Sequence, residues 1–230
     1  MFYKINKIYL VSILALAFFW GMVLPVLAAG GKHIIVIDPS HGGQDKGVII
    51  KERVDEKDIS LAIALALQKE LAKENNLQVI LTREIDRELS LEDRKKNVAK
   101  IKPEFFLSLH INSGFGKTAS GFELYYPGFK ESAERKAAVK LSAQQAKNRY
   151  LNDSIKMSHL IQRNLDTVFP RKSRGLREAN LPIVDGLFVP ALVVEIGFAT
   201  NSEDKKKLLS PDTQIEIAQA LAKSIKSFFR

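Results

Sequence analysis

Short, continuous apolar runs alternate along this chain with longer stretches in which apolar residues recur every three or four positions. The runs HIIVID (His33–Asp38), LQVILT (Leu77–Thr82), EFFLSLHI (Glu104–Ile111), GFELYY (Gly121–Tyr126) and ALVVEIG (Ala191–Gly197) predict strands, several of them buried on both faces. Between the first two, Ile59, Ile63, Leu67 and Leu71 line one face of a helix over 56–73, with Asp55 as its N-cap. Ser90 caps a predicted helix over 91–100, and Pro103 follows its end. A charged, helix-prone stretch runs from Lys130 to Asp153. Ser154–Val168 predicts a further, amphipathic helix and Asp212–Phe229 the last, with short strands around Leu176 and Ile183. Strands alternating with helices predict an α/β fold, a mostly parallel twisted sheet with helices on both faces, in a single domain.

One apolar stretch stands outside that alternation. Ile8–Ala29 follows Lys4 and Lys7 and ends in VLAAG, with Val26 and Ala28 placed for a cut after Ala28. This is the layout of a secretory signal, and Pro25 breaks the helix close to the cut. The run is also nearly long enough to span a bilayer, so an uncleaved anchor is the alternative. The expected organisation is therefore a signal peptide or anchor over 1–28 and one domain over 29–230. The domain is expected to be exported, to the periplasm or to the cell wall and extracellular space.

Composition narrows the chemistry. A formal charge of +9 favours polyanionic surroundings. No basic run interleaves with aromatics, so an anionic wall or membrane surface is favoured over nucleic acid, for which no partner role is expected. The chain has no cysteine, which excludes disulfides, thiolate metal sites and a thiol nucleophile. A metal must then be held by carboxylates and by some of the four histidines, His33, His41, His110 and His159.

In open α/β sheets, ligand sites lie beyond the carboxyl ends of the strands. His41 follows the first predicted strand in a glycine-bearing loop, PSHGG. His110 lies near the end of the third and Glu195 near the end of the last. A histidine at a strand end is often structural, but a carboxylate inside LVVEIG needs a cation, donors or a proton to be buried. His33 and His159 read as structural or exposed, and Arg83, Arg94 and Asn97 as structural. Asp38 and Asp45 flank His41 as partners for the ring or as turn formers. Four acids cluster where the first helix opens, Glu52, Asp55, Glu56 and Asp58, and local chemistry does not choose among them as a ligand.

In order along the chain, IVIDPSHGGQDKG, DEKDISLAIALALQKEL, LTREIDRELSLEDRKKNVAK, FFLSLHINS and PALVVEIGFATNSED resemble the type 3 family of N-acetylmuramoyl-L-alanine amidases. The resemblance covers most of residues 34–205. It implies one zinc ion held by His41, Glu56 and His110, with Glu195 as the catalytic carboxylate. It also implies hydrolysis of the amide between N-acetylmuramic acid and L-alanine in peptidoglycan. Ser40 stands where many members have glycine. Two imidazoles and a carboxylate suit a catalytic zinc that keeps a position open for water. The loop SRGLREANLPIV resembles a segment beside the family's substrate groove, which makes Arg174 and Arg177 candidate substrate contacts.

The segment 129–154 is longer than compact members need. Some relatives carry an inserted helix here that blocks the site until a partner moves it. That resemblance implies an autoinhibitory role, with Glu131 or Glu134 filling the open metal position and an activator protein relieving it. A solvated surface helix is the other reading. Two rival functions stay open: a catalytically silent wall-binding or partner-activating protein on the same fold, and a zinc peptidase or deacylase acting on another amide.

Overall fold

The computed structural model describes residues 31–128 and 141–230 of the chain, without the side chains of 141–144. The expected signal or anchor over 1–28, and Glu131 and Glu134, lie outside the described residues. Strands β1 (His33–Pro39), β4 (Leu77–Leu81), β5 (Phe105–Asn112), β6 (Phe122–Pro127) and β8 (Ala191–Phe198) lie where apolar runs predicted them. With β7 (Ser173–Ala179) they form a six-stranded sheet in the order β4-β1-β5-β8-β6-β7. Every neighbouring pair is parallel except β6 and β8. Strands β2 (Ile49–Lys51) and β3 (Val54–Asp55) pair separately as a short hairpin.

Helix α1 (Glu56–Leu71) opens with the Asp55 N–H donating to the Asp58 carboxylate at 2.9 Å. Helix α2 (Leu91–Ile101) is capped by Ser90, whose hydroxyl accepts the Asp93 N–H. Helices α3 (Leu141–Leu165), α4 (Ser202–Leu209) and α5 (Pro211–Phe228) follow. Lys32–Arg230 is one compact unit, and among the described residues no helix is long and apolar enough to cross a membrane.

Strand alternation sends two sets of side chains to opposite faces. Ile35, Ile37, Leu107, Leu109, Leu192 and Val194 share the larger core with Ile63 and Leu67 of α1, Ile161 of α3 and Leu221 of α5. Val36, Phe106 and Val193 point the other way, under Val98 of α2 and the turn bearing Ile183, Val184 and Leu187. The predicted sheet with helices on both faces is present, and its two faces are covered unequally. Asp38, Ser108, His110, Glu123 and Glu195 continue the second series by the period of two. Polar groups therefore collect at strand ends on the less covered face.

Two sequence expectations are corrected. The predicted break at Asp153/Ser154 does not exist, because α3 runs straight through it. The Ser154 hydroxyl donates to the Tyr150 carbonyl at 2.8 Å and accepts the Ala191 N–H at 3.0 Å, so it is satisfied inside the helix. The strand expected around Ile183 is a turn, with the Val184 and Asp185 N–H groups both donating to the Leu181 carbonyl.

Asp38 is buried and accepts from Arg94 at 2.6 Å, from Ser108 at 2.9 Å and from Thr82. Removing one partner of a buried ion pair strands the other charge, at a cost of about 3–5 kcal/mol. Asp38→Ala is expected to lower unfolding free energy by that order in a urea titration. A loss below about 1 kcal/mol would mean that water reaches Arg94.

Candidate active site

The loop after β1 places His41 with φ at 58°, a left-handed conformation that non-glycine residues adopt at a cost. Two buried arginines hold it there. Arg83 donates to the Pro39 and Ser40 carbonyls and, from α1, to the Lys57 carbonyl. Arg94 donates to the Pro39 and His41 carbonyls while paired with Asp38. The structural reading of Arg83 and Arg94 is thus given a purpose: both fix the backbone that carries His41.

Three residues meet at the carboxyl ends of β1 and β5. Glu56, the first residue of α1, is 2% exposed. Its Oε1 lies 3.2 Å from His41 Nε2 and 3.2 Å from His110 Nδ1, and the three ligand atoms all fall within 4.8 Å of one another. A tetrahedral centre with metal–ligand bonds near 2.0–2.1 Å has edges of about 3.3 Å, so both histidine–glutamate edges match one shared ion. Both oxygens of the carboxylate are also held by the protein. Ser40 Oγ and the Ile111 N–H donate to Oε1, each at 3.0 Å, and the Val48 N–H donates to Oε2 at 3.0 Å. Ser40, the departure from the family pattern, thus contributes a hydrogen bond to Glu56.

His41 Nδ1 lies 2.8 Å from Asp45 Oδ2, which fixes the tautomer that leaves Nε2 free as a donor atom. Of the two flanking acids, Asp45 therefore serves the ring and Asp38 the loop. Burial works to lower the His41 pKa, but the carboxylates of Glu56 and Asp45 outweigh it and raise it to about 9. Burial works to raise Glu56, and hydrogen bonds from the two imidazoles hold it well below the ordinary carboxylate range. This is a site that favours positive charge between the three residues.

Glu195 stands beside them. It pairs in register with His110 on β5 and with Glu123 on β6, so three side chains form one row across three strands. Burial pushes the Glu195 pKa up, and the Glu56 and Glu123 carboxylates add to that. Among the described residues no hydrogen-bond donor reaches its carboxylate. It is a carboxylate free to take and give a proton, which its neighbours Glu56 and Glu123 are not.

Glu123 escaped the sequence reading, although GFELYY carries the signal that drew attention to Glu195, an acid inside an apolar run. Its carboxylate accepts from Arg174 Nε at 2.6 Å, from Tyr125 and from Asn112, and Arg177 lies 3.7 Å away. The structure thus brings Arg174 and Arg177 to the end of that row, on Glu123. Elsewhere, His33 bonds Glu104 and stacks on Phe229, and His159 is exposed on α3. The described part of segment 129–154 leads into Ser154, which bonds the first residue of β8. That point is four residues, or about 13 Å, from Glu195 along the strand.

A family described as N-acetylmuramoyl-L-alanine amidase matches residues 35–227. The chain is 26% identical over 219 residues to the N-acetylmuramoyl-L-alanine amidase AmiC of Escherichia coli O6:H1, covering 85% of this chain and 52% of that protein. It thus spans about half the length of that relative. An N-acetylmuramoyl-L-alanine amidase structure from Clostridium difficile 630 superimposes with a TM-score of 0.72 at 27% identity, covering 86% of this chain and 97% of that one. The CwlD amidase from Clostridioides difficile, solved in complex with the GerS lipoprotein, gives a TM-score of 0.71 at 26% identity, covering 86% and 98%. Sequence match, fold and site geometry agree, and the chain belongs to the N-acetylmuramoyl-L-alanine amidase family.

Proposed function

We propose that this chain is an exported, zinc-dependent hydrolase of the amide between N-acetylmuramic acid and L-alanine in peptidoglycan. The observation that carries the reading is the pair of 3.2 Å histidine–glutamate edges with Glu195 in register beside them. His41, Glu56 and His110 are the proposed ligands. Two imidazoles and one carboxylate, with no cysteine in the chain, form a donor set suited to zinc, the ion displacing the His41 proton. When bound, zinc supplies a Lewis acid for the amide carbonyl and makes water a nucleophile near neutral pH. Glu195 takes the proton from the attacking water and returns it to the leaving nitrogen, which cannot depart as an amide anion. Asp45 keeps the His41 ring in register, and Arg83 and Arg94 hold the loop in its strained form. The intact ligand set disfavours a silent binding protein.

Digestion of purified peptidoglycan tests the reading. New L-alanine amino termini are expected, lost on chelation and restored by zinc. New reducing ends would indicate a glycosidase, and neither product a binder. The regulatory part of the proposal is a partner acting on 129–154. What supports it is the solved complex of the CwlD relative with a lipoprotein. In the same assay, deleting 131–140 is expected to raise basal activity. Unchanged activity of the folded deletion would reject an inhibitory role.

A further inference from the structure

The two arginines on Glu123 are not equivalent. Arg174 is held on two sides. Its Nε donates to Glu123 at 2.6 Å, and its guanidinium lies 5.2 Å over the Phe198 ring. Arg177 is held more loosely, by a 3.7 Å approach of Nη2 to the same Glu123 oxygen, and its side chain is 53% exposed. One carboxylate thus faces two guanidinium groups and neutralises one. Tyr125 and Asn112 donate to the other Glu123 oxygen, which leaves that carboxylate little capacity to take a second full guanidinium.

The excess positive charge has a defined place. Arg177 pairs in register with Tyr125, whose hydroxyl bonds Glu123, so all three share the face that carries His110 and Glu195. Glu123 stands in register with Glu195 on the neighbouring strand, about 5 Å across the sheet, and the Arg177 head lies a further 3.7 Å out from the Glu123 carboxylate. An extended peptide advances about 3.3–3.6 Å per residue, so that head lies two to three residues from a bond cut at Glu195.

We propose that Arg177, steadied by Glu123, is a specificity residue that binds a carboxylate two or three residues from the scissile amide on the stem-peptide side. The substrate class is then a stem peptide with that carboxylate free, and its amidated counterpart is the poor substrate. Guanidinium suits the task because its planar fork meets a carboxylate with two parallel N–H donors. Glu123 is a positioning residue: its charge keeps the Arg177 head beside the row of His110, Glu195 and Glu123 instead of in bulk solvent. The inference rests on the amidase reading.

The experiment uses two glycan–stem-peptide substrates that differ only in whether the carboxylates at the second and third residues are free or amidated. With zinc bound, the full chain is expected to prefer the free acid by about tenfold to a hundredfold in kcat/KM, carried mainly by KM, as for a hydrogen bond to a charged group. Arg177→Gln is expected to bring the ratio near one, and Arg177→Lys to keep part of it. Arg177 is exposed, so neither variant threatens the core. Equal cleavage of both substrates by the unaltered chain, or a preference that survives Arg177→Gln, would overturn the inference and leave the amidase reading standing. Cleavage of neither substrate would overturn both.

Discussion

Replacing Glu195 by Gln is expected to leave folding and zinc content intact while lowering turnover by about 10²- to 10⁴-fold. The substitution keeps shape and volume and removes only the ability to hold a proton. None of the contacts that shape the ligand cluster passes through Glu195. The carboxylate of Glu56 is held by Ser40, Ile111 and Val48, and the ring of His41 by Asp45. Zinc stoichiometry by atomic absorption should therefore match the unaltered chain, and KM should move little. The loss falls on kcat because proton transfer occurs in the transition state. Full turnover with bound zinc would remove Glu195 from the mechanism. Loss of zinc as well would make it a ligand rather than a base.

Much of this site was legible because burial and charge conflict in the sequence. An acid in LVVEIG and a histidine beside two glycines each break a local rule, and such breaks concentrate at functional positions. The choice of Glu56 over its neighbours came from the resemblance, because it depends on contacts that local sequence does not carry. The fold shows why the neighbours fail. Glu52 is 87% exposed beside the β2–β3 turn, Asp55 faces Lys46, and Asp58 accepts the Asp55 N–H. Of the four, Glu56 is the one whose carboxylate meets both His41 and His110. Glu123 broke the same rule as Glu195 and was overlooked. Its partners, Arg174 and Arg177, lie about fifty residues away and arrive through the β6–β7 pairing. The false break in α3 has a similar cause. The change from a charged to an amphipathic pattern at Ser154 reads as a boundary in sequence, and only the packing of α3 against the start of β8 supplies the Ala191 N–H that its hydroxyl accepts inside one continuous helix.

The second large effect is expected at a residue that binds nothing. Gly47 has φ at +64°, and a Cβ built there would stand 2.5 Å from His41 Cδ2 and 2.6 Å from Glu56 Oε2. Both distances are shorter than any van der Waals contact, and the two atoms belong to two of the three proposed ligands. Gly47→Ala must therefore push the His41 ring and the Glu56 carboxylate apart or tear the loop from its arginine clamps. Changes to groups that merely orient ligands cost about 10- to 100-fold in metal affinity. A methyl wedged against two ligands at once is expected to reach the upper end of that range, with activity falling in parallel. The left-handed backbone adds roughly 1–2 kcal/mol on its own, so a control must carry that penalty without the clash. Gly186 supplies it, with φ at +74° and nothing within 4 Å of a built Cβ. Zinc titration of both variants separates the effects. Gly186→Ala is expected to bind zinc as the unaltered chain does and Gly47→Ala to bind it about 100-fold more weakly. Equal zinc affinity in the two would mean that the ligands do not close around one ion at this point, and the metal assignment would fall with them.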